Sequence, residues 1–239
     1  MTGRSPRLAR GVAALLVLVL AAAGFAGCGG GAEPAAGPVF QWQVETVDNT
    51  LTNLGWGGLC LSLTTDADGS PHLTYSVITE TITQASDLPK QKGLWYAAKI
   101  ADGWSAECIF GTNSPAVSCG PRSSVAIDKN GLPRVVITTS SNDELAQLWM
   151  TAGGSWQPSH WGNYGTHPSI ARGPDGAIWG CWGGGNSYHD GLRYGRFVID
   201  DILGEQTVDG PGRIGWANDL ALAADGTPHI AYLTEPAET

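Results

Sequence analysis

Four stretches of the chain share one pattern: apolar and polar residues alternate, break at an Asp-Gly or Asn-Gly pair, and then alternate again. The stretches begin at Ser62, Ser124, Ser169 and Asp219, and their turn glycines are Gly69, Gly131, Gly176 and Gly226. Alternation with a period of two predicts strands that bury one side. Glycine after Asp or Asn predicts a tight turn in the left-handed backbone region, which other residues avoid. Each stretch is therefore predicted to form a β-hairpin.

Two further strands are predicted after each of the first three hairpins. The third strands begin at Leu94, Leu148 and Leu192, and the fourth strands begin at Trp104, Trp156 and Leu203. A further copy of the fourth-strand pattern begins at Trp42. Four antiparallel strands in about 50 residues is the size of a propeller blade. The pattern therefore predicts an all-β fold, a β-propeller of four-stranded antiparallel blades, which an N-terminal copy of the outer strand would close.

The predicted propeller domain is residues 40–239. It consists of a closing outer strand (40–48), blade one (59–110), blade two (119–160), blade three (166–209) and a partial blade four (217–235). The fourth unit has only its first two strands, and a missing third strand would leave unpaired strand edges, which proteins usually avoid. We therefore expect a truncated ring whose intact form has more blades, with a small closed ring of four blades as the alternative.

The repeated motifs resemble those of a known family. The combination of Ser-x-Ala-x-Asp-x-Asn-Gly-x-Pro-His, Leu-x-Tyr-Ala and Trp-x-x-Glu-Thr-Val-Asp resembles the bacterial sialidase-like repeats of BNR (Asp-box) type, over about residues 40 to 235. The resemblance implies the propeller fold. It implies no catalytic residue, because the closest match to the sialidase Asp-box, Asp175 to Trp179, lacks the Ser and the internal spacer, and no Arg-Ile-Pro motif is present.

The N-terminus has the pattern of an export signal. Arg4, Arg7 and Arg10 precede an uncharged apolar run that ends in Phe-Ala-Gly-Cys28, which resembles the bacterial lipobox. We expect a lipoprotein signal peptide over residues 1–27, a lipid on Cys28, and a flexible Gly/Pro/Ala tether over residues 28–39. The protein would then be exported and anchored to the bacterial cell envelope. The alternative is plain secretion, with Cys28 as an incidental thiol.

The negative net charge of the chain argues against some classes of binding partner. The chain carries a net charge of −9, and removal of the signal, with three of the 13 basic and none of the 22 acidic residues, leaves −12 (10 minus 22). Nucleic-acid binders and binders of anionic membranes need a basic surface. We therefore expect no nucleic-acid partner, and contact with the membrane only through the lipid.

One face of the predicted propeller is the candidate binding surface. Antiparallel blades place the blade-to-blade loops (53–56, 119–122, 161–167 and 212–219) on the same face as the loops between second and third strands. Aromatic residues beside Gly, Asn and His there suit a glycan or a protein partner. The predicted ligand-binding residues are Trp56, Arg122, Trp161, Tyr164, His167, Tyr188, His189, Asp190, Trp216 and Asp219. The alternative is that the tryptophans only pack between blades.

Metals and cofactors are not expected. Asp66 and Asp68 before Gly69 resemble part of a calcium loop, but the six to eight oxygens that calcium needs are absent, so a capped turn is favoured. Apart from Cys28 the chain has an even number of cysteines, which in an oxidising compartment favours disulfides. A bridge from Cys108 to Cys119 is predicted; free thiols are the alternative, and a bridge from Cys60 to Cys181 has no local support.

These observations favour a lipid-anchored extracytoplasmic propeller that binds a glycan or a protein partner without catalysis. One alternative is a sialidase-like glycoside hydrolase with degenerate motifs, which would need two carboxylates about 5–10 Å apart. Its candidates are Asp48, Asp190, Asp209 and Asp219. The other alternative is a structural envelope protein.

Overall fold

The structure, a computed structural model, describes residues 44–47, 61–77, 93–111, 119–139, 144–184, 191–210 and 214–234. The chain forms two compact units, Met1–Thr52 and Asn53–Thr239. In the first unit the described residues are Val44 to Val47, where Thr46 forms an isolated bridge. The predicted signal, Cys28 and the tether lie outside the described residues. Within the described ranges no helix is long and apolar enough to span a membrane.

The second unit is built from antiparallel strands that meander in chain order. In blade one, β1 (Leu61–Thr65), β2 (Pro71–Val77), β3 (Gly93–Ile100) and β4 (Gly103–Phe110) form one sheet. A second sheet contains β5 (Cys119–Ile127), β6 (Pro133–Thr139), β7 (Glu144–Met150), β8 (Trp156–Arg172), β9 (Ile178–Gly184), β10 (Leu192–Val198) and β11 (Asp201–Asp209). The strands β12 (Ile214–Leu222) and β13 (Pro228–Thr234) pair with each other.

The seven-stranded sheet is two blades joined through β8. Residues 156–164 of β8 pair with β7 and complete blade two, whereas residues 165–172 pair with β9 and begin blade three. With β12 and β13 as the start of a fourth unit, the described strands repeat one four-stranded antiparallel pattern. The predicted fold class, an all-β propeller of four-stranded blades, is confirmed.

The connections between blades differ from the prediction. Residues 119–122, 161–167 and 214–219 were expected in loops, but they lie within β5, β8 and β12. The reason is that backbone pairing continues past each predicted boundary: Cys119 pairs with Thr139, Tyr164 with Glu144, and Ile214 with Thr234. Each of these three pairings contains a register shift close to the predicted boundary.

The hairpin turns follow the predicted chemistry at every repeat. Gly69, Gly131, Gly176 and Gly226 have φ of +81°, +77°, +79° and +88°. In the first turn Asp66 Oδ1 accepts the amides of Asp68 at 3.0 Å and Ser70 at 2.8 Å. These bonds, above all the one from Ser70, lower the pKa of Asp66. The carboxylate thus caps its own turn, as the turn interpretation predicts.

The core lies between neighbouring blades rather than within one. Blades two and three share a cluster that includes Val136 and Leu145 on one side and Ile170, Trp182 and Phe197 on the other. Blades one and two share a second cluster, and blade three packs in the same way on β12 and β13. Face-to-face packing of successive sheets is what the alternating pattern of each strand provides.

The predicted disulfide between Cys108 and Cys119 is not formed in the structure. Cys108 is a free thiol that donates to the carbonyl of Phe110 at 3.7 Å. The space that a Cβ on Gly93 would occupy is only 2.7 Å from Cys108 Sγ. The thiol therefore packs against the neighbouring strand of its own sheet. Cys181 is also a free thiol and is buried, while Cys60 lies outside the described residues.

Candidate functional site

The first strand of each repeat, which we call the inner strand, is tied to the next inner strand by one side chain. Ser62, Ser124 and Ser169 hold the same repeat position on β1, β5 and β8. Their hydroxyls accept the backbone N–H of Val125 at 3.1 Å, Ile170 at 2.9 Å and Leu220 at 3.0 Å. Each of these amides directly follows the next copy of the same position. The inner strands therefore stand side by side at one level.

Removal of one of these hydroxyls should weaken the contact between two blades. Ser124 is buried, and Ser124→Ala leaves the buried Ile170 N–H without its acceptor. We expect a loss of about 1–3 kcal/mol in the free energy of unfolding, the cost of an unsatisfied buried donor. Urea unfolding would measure this loss. Ser155→Ala, at an exposed turn, should change the value by less than about 0.5 kcal/mol. Equal values for the two variants would show that the bond does not join the blades.

The fourth unit has a carboxylate where the others have a serine. Asp219 Oδ1 accepts the Ser169 hydroxyl at 3.2 Å and the Leu220 N–H at 3.0 Å, and the residue is exposed. Burial and, after it, the Asp219 charge raise the pKa of the Cys181 thiol to about 12. An exposed carboxylate thus takes the place of a hydroxyl in this row, and the raised pKa keeps the Cys181 thiol protonated.

The inner strands line a cavity of about 350 Å³, here called the inner-strand cavity. Its lining consists of Ser62 to Thr65, Ser124 to Ile127, Ser169 to Arg172, Asp219 and Leu220. Hydroxyls of serine and threonine, the carboxylate of Asp219 and the guanidinium of Arg172 supply its polar side chains. Arg172 lies where β8 leads into the hairpin turn and donates to the carbonyl of Asp128 at 3.4 Å. The cavity therefore offers donors and acceptors, and seven of its fourteen lining residues are apolar.

Two of the predicted binding residues are hydrogen-bonded to each other close to the repeated serines. Arg122 and His167 each lie two residues before their serine, and Arg122 Nη1 hydrogen-bonds to His167 Nδ1. Asn218 Nδ2 donates to the His167 carbonyl at 2.7 Å, and the Cys181 thiol donates to Asn218 Oδ1 at 3.1 Å. One hydrogen-bonded chain thus runs across β5, β8 and β12.

The backbone of His167 is strained. Its φ is +55°, in the left-handed region, and it lies in the irregularity of β8 between Thr166 and Ser169. A residue other than glycine costs about 1–2 kcal/mol in this conformation. Such strain persists where the surroundings over-determine it, and it clusters at ligand-binding and catalytic sites. Here the contacts to Arg122 and Asn218 hold it.

The remaining predicted residues are less informative. Asp219 lines the inner-strand cavity, whereas Arg122 and His167 lie beside it. Trp161, Tyr164 and Trp216 lie in β8 and β12, and the description extends to their backbone only. Trp56, Tyr188, His189 and Asp190 lie outside the described residues. Sequence reasoning did not select Asn218, and it assigned no role to the repeated serines, although these line the cavity.

Metal and carboxylate chemistry can be judged only for the part of the chain that is described. There, no group of three or more His, Cys, Asp or Glu side chains could hold a metal ion. Of the four carboxylates considered for hydrolysis, Asp48 and Asp190 lie outside this part. Asp209 accepts the hydroxyl of Tyr232 at 2.9 Å, and this bond is the largest cause of a raised Tyr232 pKa. Asp219 remains the carboxylate at the cavity.

Comparison with known proteins gives structural likeness only. No family model and no curated protein matches the chain. Its structure is similar to that of the Hadza microbial sialidase Hz136, at 12% identity and a TM-score of 0.49, over 80% of this chain and 44% of that one. It is also similar to the GH43 β-1,3-galactosidase BT3683 with galactodeoxynojirimycin, at 11% identity and a TM-score of 0.37, over 62% of this chain and 56% of that one. The chain thus spans about half the length of these proteins, and the propeller assignment rests on the strand order and pairing given above.

Proposed function

We propose that this protein is an exported, lipid-anchored propeller that binds a glycan in the inner-strand cavity without changing it chemically. The observation that carries the proposal is the cavity of about 350 Å³, whose polar lining consists of serine and threonine hydroxyls, Arg172 and the exposed carboxylate of Asp219. This volume falls in the range of small-molecule sites. A protein partner would need about 800 Å² of contact surface instead, whereas this site is a concave cavity.

The lining suits sugar hydroxyls, which both donate and accept hydrogen bonds. Ser62 and Ser124 accept a backbone amide through Oγ, and a serine hydroxyl has its own proton to donate as well. The Asp219 carboxylate accepts, and hydrogen bonds to a charged acceptor are about twice as strong as neutral ones. Asp219 is therefore the side chain with the largest expected contribution to binding.

The neighbouring chain of contacts would keep this geometry fixed. Three inner strands are connected by hydrogen bonds among Arg122, His167 and Asn218, which lie one or two residues before the repeated Ser or Asp. A site held in this way loses little conformational entropy when a ligand binds. The predicted lipid on Cys28 and the tether would hold the site outside the cytoplasm, within reach of envelope or external glycans.

A glycan array followed by calorimetry tests the proposal. Asp219→Asn keeps an oxygen for the Ser169 hydroxyl and the Leu220 amide but removes the charge. We expect it to weaken the best array ligand at least tenfold, which corresponds to about 1.4 kcal/mol. The matched control is Asp225→Asn, an exposed turn carboxylate of the same hairpin that caps the Thr227 amide outside the cavity. The control should bind as the unmodified protein does.

Two results would overturn the proposal. One is an array without any bound glycan; the other is equal binding by both variants, which would place the ligand elsewhere. Mass spectrometry of the ligand after prolonged incubation distinguishes binding from catalysis. An intact ligand is expected, and a cleaved one would favour the glycoside hydrolase.

A further inference from the structure

We propose that the ligand of the inner-strand cavity is a zwitterionic disaccharide, whose acidic sugar contacts Arg172 and whose amino sugar contacts Asp219. The charge assigned to this ligand rests on the glycan site proposed above. Both residues line the cavity, Arg172 on β8 and Asp219 on β12. Both are exposed, so a ligand that enters from solvent can reach them.

Arg172 and Asp219 are the two charged departures from the repeat within the cavity lining. Where β8 has Arg172, the corresponding residues of β1, β5 and β12 are Thr65, Ile127 and Leu222. Where β12 has Asp219, the other three inner strands have serine. The other copies form the same strand without a charge at these positions, so the scaffold does not require one. The two charges are therefore available for a ligand.

The guanidinium of Arg172 is only weakly held by the protein. Its Nη1 donates to the Asp128 carbonyl at 3.4 Å, longer than the usual N–H···O distance of about 2.9 Å. In the described part of the chain no carboxylate forms an ion pair with it. Arginine has five N–H donors in a planar fork, which matches the two oxygens of a carboxylate. Most of these donors therefore remain for an acidic sugar.

The Asp219 carboxylate has one oxygen left for a ligand. Its Oδ1 accepts the Ser169 hydroxyl and the Leu220 N–H, and no described residue donates to its Oδ2. An ammonium group brings three donors and the opposite charge, so it gains a Coulomb attraction that a sugar hydroxyl lacks. An amino sugar is therefore a better partner for this carboxylate than a neutral sugar.

The two charges cancel within the cavity lining, which holds one cation and one anion. A purely acidic glycan would face Asp219 and a chain of net charge −9, and a purely basic glycan would face Arg172. A neutral glycan would remove water from both charges without supplying an opposite charge to either. A ligand that carries both charges complements both residues.

The spacing of the two charges sets the size of the ligand. The hydrogen bond from Ser169 places Asp219 level with that serine, and Arg172 follows three residues further along β8. Three residues of a strand span about 10 Å. Two linked sugar rings have about this length, so one ring can reach each charge.

Calorimetry with a disaccharide of glucuronic acid and glucosamine tests this ligand class. Two derivatives each remove one charge: the N-acetylated disaccharide lacks the ammonium group, and the methyl ester lacks the carboxylate. We expect the zwitterion to bind at least tenfold more tightly than either derivative. Equal affinity for the three, or no binding of the zwitterion, would overturn the proposal.

Two protein variants show which residue recognises which charge. Arg172→Gln should no longer distinguish the zwitterion from the methyl ester, and Asp219→Asn should no longer distinguish it from the N-acetylated form. A purely structural effect would weaken all three ligands alike and leave their ratios unchanged, which would contradict the proposal. Arg196→Gln is the matched control, because Arg196 is an exposed arginine outside the cavity lining. It should bind all three ligands as the unmodified protein does.

The outcomes separate the charge of the ligand from the existence of the glycan site. If the array yields a neutral glycan that Asp219→Asn weakens and Arg172→Gln leaves unchanged, the glycan site stands and the zwitterionic ligand is wrong. If the array yields no glycan at all, the proposed function itself is wrong. Binding confined to zwitterionic glycans would support both.

Discussion

Replacement of Gly191 by alanine should lower the free energy of unfolding by more than about 4 kcal/mol, or prevent folding altogether. A Cβ at this position would clash with the Asp209 carbonyl oxygen and lie 2.6 Å from Gly210 Cα. Both are backbone atoms, and Asp209 pairs with Leu192 at the end of β10 and β11. The backbone cannot yield without breaking this pairing. Urea unfolding of the purified variant measures the loss.

The matched control separates the contact from the backbone conformation. Gly204 has φ of +64°, close to the +71° of Gly191, but a Cβ there would meet nothing within 4 Å. Gly204→Ala should therefore cost only the left-handed strain, about 1–2 kcal/mol. If both variants lost the same free energy of unfolding, a clash with the Asp209 backbone could not be the cause of the loss at Gly191.

Trp182→Ala should remove the largest single packing contribution between blades two and three. Trp182 is 2% exposed and lies in the cluster that joins blade three to Val136 and Leu145 of blade two. Within its own blade it meets Phe197 edge-on, with ring centres 5.4 Å apart. Gly165 and Gly195 make room for the indole, since a Cβ on either would lie within 3.2 Å of it. Truncation of such a residue costs about 3–5 kcal/mol, because the cavity left behind cannot collapse fully. We expect the melting temperature to fall by roughly 10 °C.

Trp104→Ala is the control for this variant. Trp104 is partly exposed on the outer strand β4, where Lys99 Nζ lies 5.6 Å from its ring centre. We expect its truncation to cost about 1 kcal/mol, near the average for a point mutation. If Trp182→Ala lowered the free energy of unfolding no more than Trp104→Ala, the packing of Trp182 would not stabilise the contact between blades two and three.

The hairpins could be predicted because their determinants are local. Alternation places one side of each strand in the core, and the Asp and Gly of the turn lie within a few residues of one another. Asp66 caps amides only two and four residues away. Such contacts form whatever the rest of the chain does, so a pattern in the sequence is sufficient to recognise them.

The connections and the cysteines could not be predicted in this way. Strand β8 continues through Trp161 to His167 because it pairs with β7 on one stretch and with β9 on the next. Both partners are separate elements of the sheet, and nothing in residues 161–167 encodes them. Cys108 is likewise a free thiol that packs against Gly93 on the neighbouring strand.

The sequence by itself determined the repeat, the turns, the alternation of buried and exposed positions, and the choice of Arg122, His167 and Asp219 as candidates. Only the tertiary structure decided which side chains meet. Arg122 and His167 are 45 residues apart, and Ser169 and Asp219 are 50 apart. It also joined Arg172 and Asp219 in one cavity. The physical reason is that local patterns specify which face of a strand is buried, whereas sites between blades depend on how successive sheets pack, and that packing sums many weak contacts over the whole chain.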